Sequence, residues 1–213
     1  MDSRYANLTK IPAVPVARRL AEANVHLSAP LAAPATAQAA DVLAELERTG
    51  RVADALMLLA VLLPPRERVW WACLAARDIT GQGAGAATAS LRAAEAWVFK
   101  PTPENRAQAQ SAIAHARVGD DTTHCAVAAV YADGTLGPGD LSHHPAPAGA
   151  AEMSVFAMNM LALAEKSDSF AAHARTLVDR ALDIARGGNG RVSAPPDAPG
   201  GDGPGADARD KGN

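Results

Sequence analysis

The side chains best suited to chemistry crowd into one stretch, Pro64-Pro65-Arg66-Glu67-Arg68-Val69-Trp70-Trp71-Ala72-Cys73-Leu74-Ala75-Ala76-Arg77, which holds two of the three tryptophans and one of the two cysteines. An arginine, a glutamate and an exposed tryptophan can grip a partner through a charge pair and an apolar anchor. The same groups can hold a small substrate beside a carboxylate. Adjacent helical residues point about 100° apart, so Trp70 and Trp71 cannot face the same neighbour. Val69, Trp70, Cys73 and Leu74 fall on one arc, which makes Trp70 the expected core anchor. Trp71 lies off that arc and, with Arg66 and Glu67, forms the expected partner-binding surface. A central helix covered on both sides would use the same residues for packing alone.

The remaining candidates for chemistry read as structure. Cys73 with His124 or His115 as base would make a nucleophile only if a helix N-terminus or a cation lowered its pKa. It sits more than two turns into its helix on the apolar arc, where a thiol acts as a small hydrophobe. Cys125 beside His124 diverges from it on a helix. His143-His144 lies in a connector and lacks the paired Cys and His spacing of structural zinc. Gly81-Gln82-Gly83-Ala84-Gly85 follows a helix rather than a strand and lacks a Gly-Lys-Ser/Thr ending, so it reads as a turn and not a phosphate loop. Glu67 and Glu95 are expected to cap helices and to pair with Arg66, Arg92 or Arg77. No catalytic, cofactor-binding or metal-ligating residue is assigned.

The elements that position these residues are helices. An amphipathic helix is expected over 12–23, an Ala/Pro-rich loop over 28–40, and a helix over 42–48 capped by Asp41 and stopped at Thr49-Gly50. The almost wholly apolar 52–63 reads as a central helix. Pro64-Pro65 starts the tryptophan helix, with Glu67 and Arg77 well placed against its dipole. Further helices are expected over 86–99, from Thr102-Pro103-Glu104 to about 117, and over 122–132. After a Gly/Pro-rich connector at 133–147 come helices over 148–165 and from Ser167 or Asp168 to Gly187-Gly188. From 188 to 213 the chain is mostly Gly, Pro, Asp and Ala, reads as a disordered tail, and is expected to add nothing to stability beyond about Gly190.

Composition agrees. The chain has 213 residues, is dominated by alanine, and is only 4% aromatic. That is the balance of an all-α fold of about eight or nine helices in hairpins, one domain over 1–187. With a formal charge of −3 and no concentrated basic patch, nucleic acid is not expected as a partner. The longest apolar run, 55–63, is far short of the roughly 20 residues of a membrane helix, and no secretory h-region is visible. A cytoplasmic protein without membrane insertion is expected.

The segment Pro65-Arg66-Glu67-x-Val69-Trp70-Trp71-Ala72-Cys73-Leu74-Ala75-Ala76-Arg77 resembles an uncharacterised bacterial domain-of-unknown-function family. So do Ala94-Glu95-Ala96-Trp97, the turn at Pro101 to Arg106, and the close Leu182-Asp183-Ile184-Ala185-Arg186-Gly187. The resemblance spans about 42–187. Its association with type VI secretion gene neighbourhoods implies an accessory, adaptor or chaperone role. Two functions follow as expectations. One is a non-enzymatic helical module with a protein partner, supported by Met153 and Met160 on the 148–165 helix, since methionine adapts to varied surfaces. The alternative is an enzyme with its site near Arg66, Glu67 and Trp71.

Overall fold

The computed structural model describes residues 3–192, and the expected tail, 188–213, lies outside them from 193 onward. Among the described residues there are nine α-helices and no strand, only an isolated bridge between Thr135 and Pro145. The helices are α1 (Val16–Glu22), α2 (Ala39–Arg48), α3 (Val52–Leu62), α4 (Pro65–Thr80), α5 (Ala89–Phe99), α6 (Pro103–Ala114), α7 (Thr123–Val130), α8 (Ala150–Glu165) and α9 (Phe170–Ala185). None is long and apolar enough to cross a membrane.

Local chemistry explains most boundaries. Pro65 at the first position of α4 gives up an N–H that would have no partner there. At the other end Gly81, at φ +92°, donates to the Arg77 carbonyl and turns the chain out. Thr102 caps α6 by accepting from the Asn105 N–H at 3.3 Å. Several starts differ from expectation: α1 opens only at Val16, α8 at Ala150 and α9 at Phe170. The first turn of α2 reaches back to Ala39, so Asp41 lies inside the helix, where it still complements the dipole. Helix α5 waits until Ala89, because Thr88 supplies the cap by accepting from Leu91 N–H at 3.1 Å.

Helices α3 and α4 form the centre. Every residue of α3 from Asp54 to Leu62 is buried, against α1, α2, α8 and α9. Helix α4 touches α5, α7, α8 and α9. Ala72, Ala75 and Ala76 of α4 and Ala126, Ala128 and Ala129 of α7 are fully buried. Small side chains let the helix axes approach closely and leave room for a few large ones. Cys73 and Cys125 are both free and fully buried.

Two arginines inside the protein satisfy helix ends. Arg68 donates to the Leu63 carbonyl at 2.9 and 2.8 Å, closing the C-terminus of α3, and pairs with Glu152 of α8. Arg106 donates to the Val130 carbonyl of α7 at 2.6 Å and to the Thr135 carbonyl at 2.9 Å, and pairs with Asp133. A charged donor on otherwise unpaired C-terminal carbonyls explains why burial is tolerated. The N-terminal segment binds the bundle too: Lys10 N–H donates to the Ala185 carbonyl at 2.9 Å, and the first residue of α1, Val16, donates its N–H to the Ala37 carbonyl just before α2 at 3.0 Å.

Candidate functional site

One stripe of α4, formed by Arg66, Glu67, Trp70, Leu74 and Arg77, faces an open cleft of about 970 Å³. The spacing runs at three to four residues, one helical face. The end of α5 supplies Glu95, Val98 and Phe99, α9 supplies Arg180 and Ile184, and residues 188–192 close one side.

The tryptophans occupy the reverse of their expected places. Trp71 is fully buried, and its Nε1–H donates to the Leu177 carbonyl of α9 at 2.9 Å. Trp70 is only half-buried and lines the cleft. Trp71 is therefore no part of a surface formed with Arg66 and Glu67. Trp71 lies off the apolar arc of Val69, Trp70, Cys73 and Leu74, on a side of α4 that also carries Arg68 and Asp78. Arg68 is buried on helix-end carbonyls, and Asp78 is paired with Arg180 across the contact with α9. A side that seems to face water thus faces a neighbouring helix.

Arg66 and Glu67 do line the cleft, and each is fixed. Arg66 Nε donates to the Val98 carbonyl at 2.6 Å, in the last turn of α5, and the guanidinium has no carboxylate partner among the described residues. Glu67 pairs with Lys10 at 2.8 Å rather than with Arg66. Glu95 forms a two-point pair with Arg77 at 2.8 and 2.6 Å, as one of the anticipated pairings had it. That hydrogen bond with Glu95 raises the Arg77 pKa above its ordinary value.

Residues 188–192, read from composition as the start of the tail, instead pack as a clip. Gly188 N–H donates to the Asp183 carbonyl at 2.9 Å and Gly190 N–H to the Asp183 carboxylate at 2.8 Å. Gly190 is buried at φ +72°, and a Cβ there would lie 2.7 Å from Leu74 Cδ1 and 2.8 Å from Ile184 Cδ1. The Asn189 carbonyl accepts from Trp70 Nε1–H at 2.7 Å, and the Arg191 guanidinium carbon sits 5.9 Å from the centre of the Trp70 ring. Hydropathy misses this segment because it binds through backbone groups and the absence of side chains. An Asp-x₄-Gly-x-Gly spacing after a helix was its one legible sign.

The cysteines, the histidine pair and the glycine-rich turn each have distinct surroundings. The Cys125 thiol and burial push the Cys73 thiol well above its ordinary value, the opposite of nucleophile activation. His143 and His144 are exposed at the end of a 3-10 turn. Among the described residues no group of three or more His, Cys, Asp or Glu side chains is placed to hold a metal ion. Residues 81–85 are an interhelical turn leading into a 3-10 turn, Ala84–Ala86.

Residues 42–185 match the model of a family of unknown function, DUF6931. The match covers α2 through α9, apart from the first three residues of α2, and with them the walls of the cleft other than Lys10 and the clip. The chain belongs to this family. No curated protein and no solved structure matches it. The α4 stripe, the α5 end and the α9 wall thus lie within the family region, whereas α1 and the clip fall outside its bounds.

Proposed function

We propose that this member of DUF6931 is a helical protein-interaction module, acting as an adaptor or chaperone, and that the cleft along α4 receives its partner. One observation carries the reading: Trp70 is half-exposed yet held in one orientation by Asn189 and Arg191, with Phe99 85% exposed at the same cleft. A rigid aromatic in an open cleft costs little ordering on binding, which is the character of an interface anchor. Work alongside a type VI secretion apparatus is the setting that the family resemblance implies for such an adaptor.

The enzymatic alternative at Arg66 and Glu67 has the size of the cleft in its favour, since small-molecule sites run to about 1,000 Å³. The cleft's carboxylates, however, are spent on Lys10 and Arg77, which supports recognition over proton transfer. The test is capture of partners by the full chain, repeated with Trp70→Ala and Phe99→Ser. Both variants should keep the helical circular dichroism of the parent and lose the complex. A complex that survives both substitutions would overturn the reading.

A further inference from the structure

We infer that the cleft takes an acidic, extended peptide segment carrying a bulky apolar residue, with the clip at 188–192 as half of the site. The inference rests on the interaction-module reading and supplies the chemistry of its ligand.

Charge is the first argument. The chain carries a formal charge of −3, yet Lys10, Arg66, Arg77, Arg180 and Arg191 line the cleft against only Glu67 and Glu95. Lys10, Arg77 and Arg180 are already paired with Glu67, Glu95 and Asp78. Arg66 and Arg191 are exposed and have no carboxylate partner among the described residues. Two guanidiniums in one cleft, without a carboxylate partner among the described residues, suit carboxylates, which they bind in a planar two-point geometry.

Arrangement is the second. Arg66 lies on α4 one turn before Trp70, and Arg191 reaches over Trp70 from the clip. The free cations therefore flank an apolar surface, continued by the exposed Phe99. A ligand that satisfies all of them has acids on either side of an aliphatic or aromatic residue. Arg66 is anchored through Nε to Val98, leaving its terminal nitrogens for a ligand. The clip adds Arg191 and fixes the Trp70 edge through Asn189, so the site is incomplete without it.

The test is selection of random twelve-residue peptides from a display library on the immobilised full chain, followed by anisotropy titration of a labelled selected peptide. Selected peptides should be enriched in Asp and Glu beside a Leu, Phe or Trp. Arg66→Glu and Arg191→Glu should each weaken binding by about tenfold or more, and rising salt should weaken it further. Arg117→Glu, an exposed charge in the loop after α6, should leave it unchanged. Peptides that are neutral or basic, or acidic peptides indifferent to Arg66 and Arg191, would overturn the inference. If neutral peptides still depend on Trp70, the ligand class fails while the interaction module stands. Peptides indifferent to Trp70, or none selected, would remove the cleft from both. A single-stranded RNA probe that binds more tightly with the same arginine dependence, or self-association lost in Arg66→Glu, would replace the acidic segment by nucleic acid or by a second copy.

Discussion

Trp70 and Trp71 differ by one position and by almost everything that matters energetically. Trp71 fills space left by neighbouring alanines and has its indole N–H paired inside the protein. Its removal creates a cavity and leaves the Leu177 carbonyl without that donor, so Trp71→Ala should destabilise by about 3–5 kcal/mol in urea unfolding. That is a large part of a typical domain's stability. Trp70→Ala removes a half-exposed ring, its hydrogen bond to the Asn189 carbonyl and one cation–π contact, which at exposed sites contributes about 0.5–1 kcal/mol. It should cost far less than Trp71→Ala, and the opposite ranking would contradict the packing described. His173 gives a second test at this scale. Desolvation lowers its pKa, opposed by Asp78 and aided by Arg180 and Lys166. A histidine whose folded pKa is depressed takes up its proton in the unfolded chain first. Its contribution is therefore neutral well above pH 6.5, the ordinary value. Stability falls as pH drops through that value and levels off below the folded pKa. His173→Gln should flatten this part of the melting temperature's pH dependence, and an unchanged slope between pH 5 and pH 7 would assign it to other groups.

Among the elements, the helices were legible in the sequence and the clip was not. Proline and glycine placement, threonine caps and alanine content mark α3 to α9 closely, because those signals act locally and tertiary packing agrees with them. The face of α4 that meets solvent was misjudged for a non-local reason. Arg68 reads as a surface residue until the C-terminal carbonyls of α3 are known to lie beside it. The clip depends on Gly190 fitting between Leu74 and Ile184. Gly190→Ala adds a methyl with no room at a φ of +72°, a conformation unfavourable to residues with a Cβ. The variant should therefore release the clip, freeing both Trp70 and Arg191. Trp71 and Trp97 are buried, so Trp70 should dominate the change in acrylamide quenching, which should rise. The melting temperature should fall by no more than a few degrees, since the helical core is untouched. Quenching identical to the parent would show that the clip does not hold Trp70.

At the scale of the whole molecule, the bounds of the family match and the bounds of the core do not coincide. The match begins at residue 42, but Tyr5, Ile11, Val16, Ala37 and Ala39 share one buried cluster with α2 to α9. Tyr5 hydroxyl donates to Glu47 at 2.7 Å, Arg4 pairs with Asp179 of α9 at 2.8 Å, and Asp54 of α3 accepts from Ser28 N–H at 2.8 Å and its hydroxyl at 2.7 Å. Residues 3–38 therefore run over α2, α3 and α9 as a cover, with α1 the only α-helix among these described residues. Without it Met57 and Val61, packed against Ala23 and Val25, would meet water, as would part of the cluster shared with Tyr5, Ile11 and Val16, and Asp54 would lose Ser28. Fully burying a side chain of this size contributes about 1.5–3 kcal/mol, so even partial exposure of several uses up most of a marginal domain's stability. Deletion of residues 1–38 should consequently abolish cooperative unfolding or lower the urea midpoint severely, although every helix from α2 onward remains encoded. The full chain, by contrast, should unfold in one transition by circular dichroism and tryptophan fluorescence together. A deletion variant that melts as sharply and at the same temperature as the full chain would show that the segment before α2 is an attachment and that the family region is stable without it.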